Sequence, residues 1–161
     1  MAQRLNYRDL APEGLRAMRS LEHYLNTSIE LPRALIEFVR LRVSLINGCP
    51  YCIGLHTHEA QKLNETEDRI AQVAEWRDST AYTQRERAAF AWAEAVTDVH
   101  PDHVPDSIYE ATREHFSDTD LVNLTLVITS INAWNRVAIA FRAERPAASP
   151  RPPASLIAQP T

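Results

Sequence analysis

Apolar residues along this chain recur at three- and four-residue steps, the spacing of one face of an α-helix, in one segment after another. The first pattern begins near Pro12 and sets Leu15, Met18, Leu21, Tyr24 and Leu25 together until Asn26, Thr27 and Ser28 interrupt it. A second starts around Pro32, a residue suited to a first helical turn, and carries Leu35, Ile36, Val39, Val43 and Ile46 along one face before Asn47 and Gly48 stop it. A third opens at Cys49 and Pro50 and continues through Cys52, Ile53, Leu55, His56 and Ala60 to Leu63. Thr66 is placed to cap a short fourth helix through Ile70, Val73 and Trp76, with Glu67 and Asp68 at its positive end. Thr83 and Glu86 have the spacing of a capping box for a fifth, whose Ala89, Trp92, Ala93, Val96 and Val99 share a face.

Residues 100–105 hold two prolines and break that pattern, and a short helix follows over 106–115. Ser117 or Asp118 then caps a long final helix reaching Phe141 that is apolar nearly all round. A membrane span competes for this segment, but Asn123, Asn132, Asn135 and Arg136 interrupt it, which places it at the centre of a helical bundle and away from a membrane. From Pro146 five prolines fall in the last sixteen residues and preclude helix. The expectation is an all-α domain over 1–145 with a Pro-rich extended tail over 146–161. Trp76, Tyr82, Trp92 and Trp134 fall on apolar faces and read as core or subunit interface.

Composition narrows the function classes. A chain of 161 residues with 45% apolar content buries one real core, and only three glycines favour helices over a turn-dense sheet. The net charge of −4 lies in short mixed-sign groups, with no basic block to track a phosphate backbone, so no nucleic acid is expected as a partner. Residues 1–9 lack the apolar stretch of a signal peptide, which makes a cytoplasmic location the expectation. In a reducing compartment two cysteines three apart read as redox-active or metal-binding, and a bridge between them closes too short a loop to stabilise the fold much.

A thiol reacts as its thiolate, a minor species near neutrality at an ordinary pKa of about 8.5. Cys49 as helix cap and Cys52 in the first turn stand where unpaired N–H groups and the helix dipole favour an anion. His56 follows Cys52 by four residues, on the same helix face, and provides a proton partner. Glu37, twelve residues before Cys49, reaches the same junction if the two helices fold back as a hairpin, and there orients His56. Such a site reduces a hydroperoxide by thiolate attack on the distal oxygen, and the resulting sulfenic acid condenses with the second thiol to a disulfide that an external dithiol restores. A metal site from Cys49, Cys52, His56 and His58 is the rival reading, weakened because His56 and His58, two apart, face different sides of a helix. His58 and Glu59 read as an exposed face, and Asn132, Asn135 and Arg136 as partners for buried polar groups.

Glu37, Cys49-Pro50-Tyr51-Cys52 and His56 together resemble the E-x11-C-x-x-C-x3-H signature of the AhpD-like alkylhydroperoxidases within the carboxymuconolactone decarboxylase family. The likeness is densest from Arg33 to Leu63, and the helix order extends it to Phe141. It implies a small helical fold assembled as a homo-oligomer, be it dimer, trimer or hexamer. It also implies a thiol-dependent peroxidase, acting on organic hydroperoxides or hydrogen peroxide, with no bound cofactor or metal. Carried over residue by residue, Cys52 attacks, Cys49 resolves, and His56 and Glu37 complete the catalytic set, with a lipoamide-like dithiol or a reductase as reductant. The position before the second cysteine, a histidine in the best-known members, is Tyr51 here, which leaves no imidazole relay at that point. Two other functions belong to the same sequence: a decarboxylase of a lactone acid, as in the family's other branch, and a non-enzymatic thiol redox sensor.

Overall fold

Two residues, Asn47 and Gly48, turn the chain from one helix straight into the next, and the other helices pack around that hairpin. The structure is a computed structural model describing residues 2–99, 103–144 and Leu156. Eight helices are bounded within it and no strand occurs among the described residues. They are α1 (Tyr7–Leu10), α2 (Pro12–Thr27), α3 (Arg33–Ile46), α4 (Pro50–Lys62), α5 (Glu67–Ala71), α6 (Gln84–Thr97), α7 (Asp106–Arg113) and α8 (Asp118–Phe141). The all-α expectation is met.

Helix α3 is buried on two sides because its apolar residues face two clusters. Leu35, Ile36, Val39 and Val43 pack with Leu25 of α2, Ala89 and Trp92 of α6, and Leu124, Val127, Ile128 and Ile131 of α8. Phe38 and Leu41 pack instead with Ile53 and Ala60 of α4, Ile70, Val73, Trp76, Tyr82 and Phe90. The final helix is long and buried along its inner stripe, as its composition predicts, while Val122 and Ile139 on its other side stay exposed. Removing Phe38, which is fully buried between α3 and its neighbours, empties a site of the kind that costs about 3–5 kcal/mol.

Several boundaries differ from the sequence reading for identifiable reasons. Helix α1 is a single turn with no periodic pattern of its own, held by Tyr7 stacking on Phe141 at 5.6 Å between ring centroids. Pro32 is the N-cap of α3 and not its first residue. Helix α5 stops at Ala71, well before Trp76. Beyond it, the Ala74 carbonyl accepts from Arg42 at 2.9 Å and those of Trp76, Arg77 and Ser79 from Arg87 at 2.8–2.9 Å, so these groups find partners outside a helix. The Thr83–Glu86 capping box and the Ser117 cap form as read. Residues 100–102 and most of the Pro-rich tail lie outside the described residues. Leu156 is the exception: it has helical backbone and is buried in the cluster around Phe38, so the tail is not extended there.

The turn before the cysteines rests on one backbone conformation. Gly48 has φ +62, and a Cβ built on it meets nothing within 4 Å, so only the left-handed backbone disfavours a side chain. Gly48→Ala is therefore expected to lower stability by about 1–2 kcal/mol in a urea melt. Gly14→Ala, in the first turns of α2 with open space around it, is expected to raise it by about 0.5–1 kcal/mol.

Candidate active site

The end of α3 and the start of α4 share Cys49. The Gly48 N–H bonds the Leu45 carbonyl at 3.1 Å and the Cys49 N–H bonds that of Ser44 at 3.0 Å, the paired bonds of a Schellman motif. Cys49 then serves as N-cap of α4, with Pro50 at the first helical position, and its sulfur accepts from the Cys52 N–H at 3.4 Å. The cysteines are thus held by backbone on both sides. Asn135 of α8 pins the same turn, since its Oδ1 accepts from Asn47 at 2.9 Å and its amide donates to Ser44 Oγ at 3.1 Å.

Both cysteines are free and buried, with their sulfurs 2.7 Å apart. The hydrogen bond from Cys52 holds the Cys49 thiol below its ordinary range, against the opposing effect of burial, and the N–H groups of Cys52 and Tyr51 add to it. Cys52 is pushed well up, first by that same bond to Cys49, then by burial and by the neighbouring charge. The sequence reading favoured an anion at both positions of the helix start and paired His56 with Cys52. Both shifts come first from the contact between the two sulfurs, and the N–H groups of the helix start favour the charged form of Cys49. The His56 ring makes no hydrogen bond to either sulfur.

The bond of His56 runs to Glu37. Its Nδ1 lies 2.8 Å from Glu37 Oε2, which leaves Nε2 as the nitrogen able to take or give a proton. Burial opposes the charge on Glu37, but the bond from His56 and the charges of His56, Arg40 and Arg33 together hold its carboxyl below the usual carboxylate range. Arg40, 3% exposed, donates to Glu37 Oε1 at 2.9 Å, to Asn26 Oδ1 at 3.0 Å and to Glu22 Oε2 at 2.6 Å. Ser130 of α8 closes the chain on the other oxygen of Glu22. A line of buried polar groups thus joins α2, α3, α4 and α8 behind the imidazole.

A cavity of about 260 Å³ opens over this arrangement. Cys52 and His56 line it, as do Arg40 and Glu22, whereas Cys49 does not reach its wall. Its apolar surface comes from Leu15, Leu55, Ile131, Trp134 and Ala138. The structure therefore gathers all four residues singled out by spacing, with Glu37 behind His56 and Cys49 behind Cys52. Sequence reasoning missed Arg40 and Glu22; Asn135 partners the buried Ser44 and the Asn47 amide as its type suggests, and Trp134 lines the cavity. Arg40 had a legible signal, being a cation three residues after Glu37 and so on the same side of the helix; Glu22 is brought in from another helix. His58 joins no cluster, and no group of three or more metal-ligating side chains converges among the described residues.

Residues 12–95 match the profile of the Carboxymuconolactone decarboxylase family. The uncharacterized protein YdfG of Bacillus subtilis is 40% identical over 141 residues, covering 88% of this chain and 95% of that protein. Among solved structures, a protein of unknown function from Agrobacterium tumefaciens, ATU0492, put forward as an antioxidant defence protein AhpD, superposes with a TM-score of 0.87 at 38% identity, covering 91% of this chain and 99% of that one. The debrominase Bmp8 shares the fold at a TM-score of 0.78 and 23% identity, over 92% of this chain and 77% of its own.

Glu37→Gln removes the charge partner of His56 and one of the two carboxylates of Arg40, and is expected to cost about 3–5 kcal/mol in denaturant melts. The folded carboxyl titrates below the unfolded one, so its contribution is full above the ordinary carboxylate pKa and fades as pH falls through the folded value. Stability measured against pH in the acid range should accordingly fall less steeply in the variant than in the wild type.

Proposed function

The chain is an AhpD-like member of the carboxymuconolactone decarboxylase family, and on that footing we propose that it is a thiol-dependent peroxidase working through Cys52 and Cys49. One observation carries the reading: Cys52, which lines the cavity, has its sulfur 2.7 Å from that of Cys49, which caps the helix and accepts from the Cys52 N–H. Access to the cavity and the donors of the helix start therefore belong to different cysteines.

The reaction follows from that division. The Cys49 thiolate takes the proton of the Cys52 thiol, and the Cys52 sulfur attacks the distal oxygen of the hydroperoxide. The O–O bond breaks, Cys52 becomes a sulfenic acid, and the departing alkoxide takes a proton to leave as the alcohol. His56, oriented by ionised Glu37, is the group in the cavity wall that supplies this proton through Nε2. Cys49 then attacks the sulfenic sulfur, an S–S bond forms, and the hydroxyl leaves as water. The sum is dithiol plus hydroperoxide to disulfide, alcohol and water. An external dithiol supplies two electrons to reopen the bridge. Hydrogen peroxide fits the same scheme with water in place of the alcohol.

Titration with one equivalent of peroxide is expected to convert both thiols into one disulfide, read by thiol counting and intact mass. Cys52→Ser should abolish turnover, while Cys49→Ser, lacking both base and resolving thiol, should form a sulfenic acid on Cys52 more slowly and halt there, as a dimedone adduct reveals. Wild-type turnover in Cys52→Ser removes the proposal.

A further inference from the structure

The cavity over Cys52 holds more positive charge than its neighbours neutralise. Leu15, Arg19 and Glu22 of α2 are four and three residues apart, so one face of that helix lies along the cavity. Glu22 is occupied by Arg40 and Ser130. Arg19, one turn away, is exposed and has no hydrogen-bond or ion-pair partner among the described residues. Arg8 of α1 also borders the cavity; it donates to the Tyr51 hydroxyl at 3.0 Å and has no carboxylate partner among the described residues. Deeper in the wall, the buried Arg40 has an Nε–H with no acceptor. These cations stand in a chain whose net charge is −4, so the basic character belongs to the cavity and not to the molecule at large.

Besides the arginines the cavity has an apolar lining that includes Leu55, Ile131 and Trp134. Hydrogen peroxide needs no such wall, and a neutral alkyl hydroperoxide needs no arginine. A guanidinium fork with a free face suits a carboxylate, which it binds through paired charge-assisted hydrogen bonds. The volume of about 260 Å³ is just under the roughly 300 Å³ at which small-molecule pockets begin, a size for a single ring or a medium acyl chain.

Resting on the peroxidase reading of Cys52, we infer that the substrate is an organic hydroperoxide carrying a carboxylate on a compact apolar body. The acid meets Arg19, with Arg8 beside Tyr51 as the second cation of the rim. The apolar body lies against Leu55, Ile131 and Trp134. The peroxide end reaches Cys52.

The test compares para-carboxy cumene hydroperoxide with its methyl ester, both reduced by the full-length protein under excess dithiothreitol. In the wild type the KM of the acid is expected about tenfold below that of the ester, the effect of one charge-assisted pair. In Arg19→Gln the two are expected to agree within about twofold; this exposed side chain has no partner among the described residues to lose, and circular dichroism checks the fold. Calorimetry with the unreactive para-isopropylbenzoate and its methyl ester gives a readout independent of turnover, with the acid bound more tightly and the preference gone in the variant. Equal KM values and equal binding of acid and ester in the wild type overturn this substrate class, while reduction of both peroxides would leave the peroxidase reading standing. Acid-selective binding without reduction of either peroxide supports the anionic ligand and overturns the peroxidase reading instead.

Discussion

Glu37 keeps a negative charge with 1% of its surface exposed, and that requirement organises the site around it. A carboxylate taken out of water is stable only if opposite charge and hydrogen-bond donors replace the lost hydration. Here His56 comes from α4 and Arg40 from the next turn of α3, while Glu22 from α2 and Ser130 from α8 satisfy Arg40 in turn. Each partner is needed by another, so the imidazole cannot turn without unpairing groups on other helices. The same interaction that makes the burial tolerable sets which nitrogen of His56 faces chemistry.

The thiol pair obeys a second constraint, imposed by backbone. Cys49 ends one helix and caps the next, and its sulfur collects the donors of that cap. Cys52, one turn further on, reaches the cavity wall but has a charged neighbour that discourages its own ionisation. Asn135 serves this second constraint, because it holds the hairpin turn and its side chain favours the charged form of Cys52.

The outer wall of the cavity is made by the N-terminal helices, outside the hairpin. Helix α2 contributes an apolar residue, a cation and an acid along one stripe, and α1 adds Arg8 over Tyr51. Tyr51, standing where the best-known relatives have a histidine, thus anchors the cover by its hydroxyl and ring. The hairpin carries the two cysteines and His56, and α1 and α2 cover them. The family resemblance is densest on the hairpin, and the cover is where a relative of the same fold can differ in what it accepts.

Helix periodicity, the Thr83–Glu86 and Ser117 caps, and the stop at Asn47-Gly48 were legible in the sequence because each depends on residues within one turn of each other. Glu37, Cys49, Cys52 and His56 were legible for a related reason: a two-residue turn between two helices ties spacing along the chain to position in space. What lay beyond local spacing was hidden. Glu22, Ser130 and Asn135 meet the site across 18, 108 and 91 residues of sequence, measured to Arg40, Glu22 and Ser44, and nothing in a one-dimensional pattern specifies such pairs. The early end of α5 was hidden likewise, since arginines from α3 and α6 take the carbonyls there. Which sulfur the helix-start donors favour was decided last, by groups a few ångströms away, because electrostatic preference falls off with distance in space and is blind to distance along the chain.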